Sequence, residues 1–326
     1  MSAAGLDGTA LRKRVVRLLT TLFAVSFITF MLTSLLPGDP AYTILGAEGV
    51  TPEAVARVHA DLGLDDPLPV RFGNWLGDAA RGDLGTSYSL GRDVTDLMMA
   101  RLPVTLELIV LSLGISLTVS IPIGIWTAYR AKHIGSKLVS LLTYTLLSVP
   151  SFVVGIMLIL LFSIKLDWLP ASGWVAFSEN PVENLKRAVL PALALALPQI
   201  AVFSRLLRGD MMATLDLDFV SFADSKGLTT RRILLGHAFR PSSFSLLTLA
   251  GTSIGYLMGG TVIVETMFNL PGMGTLVTTA IAQRDLVTVQ GVTLFVAAAF
   301  VIINFFVDLL YAVLDPRIRR SHGAAV

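Results

Sequence analysis

Six stretches of the chain contain no Asp, Glu, Lys, Arg or His: residues 18–36, 108–129, 138–164, 188–204, 241–264 and 286–307. A helix needs about 20 mostly apolar residues to cross a bilayer. The runs therefore predict an all-α, polytopic membrane protein with a single transmembrane domain over 1–326. Six spans are expected at about 15–36, 104–129, 138–164, 188–208, 241–264 and 286–313. The third run is long enough to tilt or to pass beyond the bilayer, and Pro150 is expected to kink it. The fourth is the shortest and carries Pro191 and Pro198, which a span tolerates when neighbouring helices satisfy the freed carbonyls. Before the first run stand Arg12, Lys13, Arg14 and Arg17, a start that fits either a cleaved leader or a retained helix. The apolar run exceeds the usual leader core of about 7–15 residues and no A-x-A site follows, so a retained helix is expected.

The polar segments between the runs carry helix punctuation of their own. In 37–102, Thr51-Pro52-Glu53 supplies an N-cap, a proline at the first helical position and an acid in the first turn, and Gly63 supplies a stop. Asp66-Pro67 repeats the start, ending near Gly82. A third short helix at about 94–101 is expected to lead to Pro103, which opens the second span. The segment reads as a small helical cap or as a docking surface for an outside partner. In 165–187, Trp168 and Trp174 suit an interfacial aromatic belt. In 265–285, Asn269-Leu270-Pro271-Gly272-Met273-Gly274 cannot be a helix interior, and reads either as a hairpin dipping toward a passage or as a surface turn. In 209–240, a short helix from Phe219 to Lys226 stops at Gly227; Thr229 or Thr230 caps a second, which Pro241 is expected to stop. The result is a rigid protrusion or an ordinary solvated loop.

Charge sets the orientation. With the N-terminus inside, the inner segments hold 16 of the 25 Lys and Arg residues, which places both termini in the cytoplasm. The composition agrees with a lipid-facing surface: 54% hydrophobic and 15% charged, against about 45–50% and about 25% in soluble domains. Cys is absent, and His59, His133, His237 and His322 show no ligand spacing, so no metal site is expected. The chain contains no G-x-x-x-x-G-K-[ST], H-E-x-x-H or G-x-S-x-G motif, so no nucleotide-binding or catalytic residue is assigned. The runs also lack the ionisable groups that ion-coupled carriers bury along their path. Glu107 and Asp308, near span ends, read as structural. Gly251, Gly255 and Gly259 lie four apart and mark a helix-packing face.

Several motifs, in order, resemble one family: the first-type (B-type) permeases of bacterial dipeptide, oligopeptide and nickel ABC importers. They are Leu36-Pro37-Gly38-Asp39-Pro40, Leu62-Gly63-Leu64-Asp65-Asp66-Pro67-Leu68, Gly82-Asp83-Leu84-Gly85-Thr86-Ser87 and Arg101-Leu102-Pro103-Val104-Thr105-Leu106-Glu107-Leu108. Val264-Glu265-Thr266-Met267-Phe268 with Leu270-Pro271-Gly272-Met273-Gly274, and Leu314-Asp315-Pro316-Arg317, complete the set. Ala223-Asp224-Ser225-Lys226-Gly227-Leu228, followed by His237-Ala238-Phe239-Arg240-Pro241, resembles that family's EAA loop, which docks on the ATPase. Asp224, Ser225 and Pro241 depart from the common Arg, Ala and Asn, which leaves the exact pairing open.

The resemblance implies a type I importer fold in the bacterial inner membrane. It implies a second permease, two ATPase subunits that bind ATP and Mg²⁺, an extracytoplasmic peptide-binding protein, and a di- or oligopeptide substrate. On this reading Phe219, Ala223, Asp224, Ser225, Lys226, Gly227, Leu228 and His237 couple to the ATPase. Glu265, Phe268, Pro271, Gly272 and Gly274 are gate candidates in the outer hairpin. The alternatives are a permease for nickel or another small solute, and a secondary carrier working alone.

Overall fold

The computed structural model describes residues 8–34, 40–45, 51–61 and 63–314. Residues 36–39, 62, 315–317 and 322 of the motifs and histidines above lie outside them. In chain order the helices are α1 (Gly8–Ser34), α2 (Pro40–Leu45), α3 (Pro52–Asp61), α4 (Leu68–Ala80), α5 (Val94–Tyr129), α6 (Ile134–Leu147), α7 (Ser151–Leu158), α8 (Pro181–Leu215), α9 (Asp218–Ser225), α10 (Thr230–Arg232), α11 (Phe239–Phe268), α12 (Met273–Ala282) and α13 (Leu286–Leu314). A π-helical stretch, Ile159–Lys165, continues α7, and a second, Ile233–Ala238, joins α10 to α11. Among the described residues five helices are long and apolar enough to cross a bilayer, and α6 with α7 makes a sixth if the bent pair is one span. The chain forms two compact units: Met1–Thr105 with Pro271–Ile302, and Leu106–Leu270 with Ile303–Val326.

In the first unit, Phe23, Phe27 and Phe30 recur at helical spacing, and all three rings meet Phe72 of α4. Their centroids lie 5.4–5.7 Å away, two of them edge-on, the arrangement that the ring quadrupole favours. Thr51 Oγ1 accepts the Ala54 N–H at 3.2 Å and so caps α3, while Gly63 turns at φ +59°. Val94, Leu97 and Met98 form a core with Met273, Leu276 and Val292. Gly291 allows this approach, since a Cβ there would lie 2.8 Å from Val94 Cγ1. The expected short helix at 94–101 is not separate: α5 runs unbroken from Val94 through Pro103. Proline's fixed φ is helical, and the exposed Pro103 removes only one hydrogen bond from the ladder.

The second unit is built around α8. Some 61% of its apolar stretch is buried, and its small residues Ala188, Ala192, Ala194, Ala196 and Ala201 are buried almost completely. Side chains that small let α6, α7 and α11 come close to it. Gly155 of α7 approaches Met267 and Ala194, and Gly124 of α5 approaches Leu207. Phe203, Leu207 and Met211 then pack with Ala128, Ala238, Leu246 and Ala250. Two hydrogen bonds link helices within this core: Ser116 Oγ donates to the Ala196 carbonyl at 3.3 Å, and the Thr214 and Ser242 hydroxyls meet at 3.0 Å.

Two prolines differ in effect. The third run bends at Pro150, as expected, by 106° between α6 and α7. The residue before a proline is biased out of the helical region, so α6 ends before Pro150 and α7 opens after it. Pro241, expected to stop a helix, sits inside the first turn of α11. The preceding π stretch pairs its carbonyls five residues on, not four, which makes room for a residue without an N–H.

Candidate functional site

The loop 209–240 has one well-formed feature, the closure of α9. Gly227 has φ +74° and donates its N–H to the Asp224 carbonyl at 2.8 Å, while Leu228 N–H donates to the Ala223 carbonyl at 3.3 Å. These two bonds define a Schellman motif, and the accompanying apolar contact is present too: Leu228 packs with Val220, Ala223, Ile233 and Leu215. The helix is thereby pinned to the end of α8 and to the π stretch. Its other face points outward. Phe219 and Phe222 are 46% and 61% exposed, and Lys226 Nζ lies 4.4 Å from the centroid of the Phe222 ring. Asp224 and Ser225 are exposed, with Ser225 Oγ donating to the Ser221 carbonyl, and Ala223 is buried. His237 is half-buried within the π stretch. Thr229 occupies the cap of α10, but its side chain makes no capping bond. Nothing lies within 4 Å of where a Gly227 Cβ would be.

In the segment 265–285 buried and exposed residues are interspersed, and 281–284 are all exposed. Asn269, at φ +50°, closes α11 with the same pair of bonds, Asn269 N–H to the Thr266 carbonyl and Leu270 N–H to the Glu265 carbonyl. Glu265 and Phe268 are buried at the end of α11. Pro271 is exposed, whereas Gly272 and Gly274 are buried at the start of α12. The Met273 N–H donates to Thr105 Oγ1 at 2.9 Å.

The three glycines of α11 do not share one environment. A Cβ on Gly251 would lie 2.5 Å from Val307 Cγ2, so a close helix contact forms there. Gly255 is buried, and Gly259 faces open space, with nothing within 4 Å of its Cβ position.

A polar junction that the motif reading missed lies in the first unit. Asp285, almost fully buried, accepts bonds from Ser87 Oγ at 2.5 Å, Ser89 Oγ at 3.0 Å and Thr288 Oγ1 at 2.9 Å, and caps α13 through the Thr288 N–H at 3.2 Å. Burial pushes its carboxyl up. The bonds from Ser87, Thr288 and Ser89 outweigh that and hold it below the usual carboxylate range. Beside it, burial and the Asp285 charge push the Tyr88 phenol up to about 12, against a smaller opposing pull from Arg71. The partners are 198 residues apart, so spacing could not reveal them. The sequence signals were an acid just before a span and the Gly85-Thr86-Ser87 turn.

Residues 120–320 match the family model for the binding-protein-dependent transport system inner membrane component. Residues 9–109 match the N-terminal model of binding-protein-dependent transport system membrane components. A putative peptide transport system permease protein of Brucella abortus (strain 2308) is 41% identical over 94% of this chain and 98% of its own length. A probable peptide ABC transporter permease protein of Sinorhizobium fredii is 36% identical over 96% and 99%. A glutathione transport system permease protein of Escherichia coli O6:H1 is 33% identical over 94% and 97%.

Proposed function

The chain belongs to the family of binding-protein-dependent transport system inner membrane components, with the type I ABC-importer permease fold, and from that premise we propose that it forms part of the membrane path for di- and oligopeptides. Relatives named for peptide and for glutathione transport support peptides over nickel as the cargo. The observation that carries the coupling role is the Schellman-closed α9, which is held to the end of α8 and turns Phe219 and Phe222 outward. Apolar rings exposed on an otherwise polar loop call for a partner. That partner is an ATPase subunit, which binds ATP and Mg²⁺. A short helix fixed at both ends transmits its motion as a rigid body, as alternation between two packings requires. The assembly holds this chain, a second permease, two ATPase subunits and an extracytoplasmic binding protein, with both termini of this chain in the cytoplasm. The segment 265–285 forms the outer gate.

The test is uptake of radiolabelled trialanine into proteoliposomes holding the whole complex. ATP inside, with the binding protein and trialanine outside, should drive accumulation through complexes whose ATPase subunits face the lumen, whether or not a proton or sodium gradient is present. Accumulation driven by an ion gradient without ATP would instead favour a secondary carrier.

A further inference from the structure

Midway along the two longest helices of the second unit lies a cavity of about 370 Å³, open on one side. That volume lies in the range of small-ligand sites, about 300–1,000 Å³. Pro198 is the central residue of the 35-residue α8, and Gln199 follows it. Thr252, Ser253 and Tyr256 come from the middle of α11. Val202 and Leu249 add apolar wall, and Leu147 contributes from the break between α6 and α7. Three features mark this wall as a surface that meets something other than lipid.

The first is Tyr256, 72% exposed at mid-helix. Tyrosines on lipid-facing surfaces gather at the headgroup level, where the hydroxyl stays hydrated, and not at the centre of a span. The second is Gln199. The residue is only 7% exposed, yet its amide makes no hydrogen bond among the described residues and opens onto the cavity. A buried amide facing hydrocarbon with no partner costs about 2–7 kcal/mol, so the side it opens to must supply donors and acceptors. The third is the broken span beside it. Non-helical backbone at membrane depth persists where it is buried in protein or lines a wet cavity.

The lining carries no acid or base, so it makes no demand on the charge of what passes. Ser253 Oγ donates to the Leu249 carbonyl at 2.7 Å, and Thr252 Oγ1 to the same carbonyl at 3.0 Å. Their donors are spent on their own helix, and their lone pairs face outward as acceptors. The Gln199 amide and the Tyr256 hydroxyl each offer both a donor and an acceptor. Neutral donors and acceptors between apolar walls match the one part that all peptides share, the main-chain amide.

We infer that this cavity, with Gln199 and Tyr256 on its wall, is the surface over which the main chain of a transported peptide passes. The inference rests on the peptide-permease reading above and assigns the residues that touch the cargo. The natural chain has no cysteine, so single substitutions report one position each. The complete complex in proteoliposomes is treated with a charged, water-soluble methanethiosulfonate, and labelling of this chain is followed with and without trialanine. A thiol in water ionises more readily than one in hydrocarbon, and each pKa unit is a tenfold change in thiolate. Gln199→Cys and Tyr256→Cys should therefore react at least about tenfold faster than Val110→Cys, a position 68% exposed in a charge-free run. Trialanine should slow both reactions. As a second readout, Gln199→Leu keeps the volume and removes the amide, and should raise the half-saturating trialanine concentration about fivefold to tenfold.

Labelling of both positions as slow as at Val110→Cys would show a lipid-covered face and overturn the inference. Fast labelling that trialanine does not slow, in a complex that imports trialanine, would overturn it too. Failure of the unsubstituted complex to import trialanine is a different result, one that sinks the peptide-permease reading itself.

Discussion

Gly227 separates what the fold needs from what a partner needs. Its φ of +74° is a conformation that costs an ordinary L residue about 1–2 kcal/mol, and Asn less, since it visits that region more readily. No steric term adds to this, because nothing lies within 4 Å of the Cβ position. Against a stability of about 5–15 kcal/mol, Gly227→Asn and Gly227→Asp should both leave the protein folded and in the membrane. Gly227→Asp also adds a second acid three residues after Asp224. Both variants add atoms where a docked ATPase would approach the turn. The expected result is near-normal membrane content with ATP-dependent trialanine uptake reduced at least about tenfold for Gly227→Asp, the effect of losing about 1.4 kcal/mol of docking. Immunoblots of washed membranes and vesicle uptake measure the two quantities. Normal uptake by Gly227→Asp would refute the docking role. Loss of either variant from the membrane would refute the claim that the turn is sterically open.

Three further outcomes are expected. Asp285→Asn should lower the melting temperature in detergent at pH 7, because an N-cap worth about 0.5–2 kcal/mol is weakened and the Ser87 hydroxyl loses a charged acceptor. A carboxyl whose folded pKa is depressed contributes its stability above the unfolded value and loses it as pH falls. The gap between wild type and Asp285→Asn should therefore close as pH drops below about 4, and a gap that widens on acidification would contradict the assignment. Gly251→Ala should destabilise by about 1–3 kcal/mol by forcing the stiff Val307 aside, whereas Gly259→Ala should be neutral or slightly stabilising in the isolated chain, both read as shifts in detergent melting. Reporter fusions at Leu90 and at Leu228 should report opposite sides of the membrane, and the same side for both would break the proposed topology.

Long apolar runs are legible in a sequence because burying or hydrating a span leaves no compromise in composition, and the described residues of the six runs are helical apart from the break at 148–150. Local punctuation was legible for the same reason at Thr51, Gly63 and Gly227, where the chemistry of one residue decides the backbone. Proline was less readable. At Pro150 and Pro241 the local preference is the same, yet one ends a helix and the other lies within one. The difference is set by the π stretch before Pro241, which depends on how Ile233 and Ala238 pack and not on the proline itself. The Asp285 junction and the cavity wall were not legible, since each joins residues from distant parts of the chain. Gln199 looked like one neutral residue in an apolar run until its neighbours were in place.

The central claim is that this chain is a peptide-importer permease powered by separate ATPase subunits. Its most direct test is purification of the tagged chain from its native membranes in mild detergent, with identification of what accompanies it and an assay of ATP hydrolysis. The account predicts that ATPase subunits and a second permease co-purify, and that trialanine with the binding protein raises turnover. A chain that emerges alone and without ATP hydrolysis, under conditions that keep other importers intact, would contradict it.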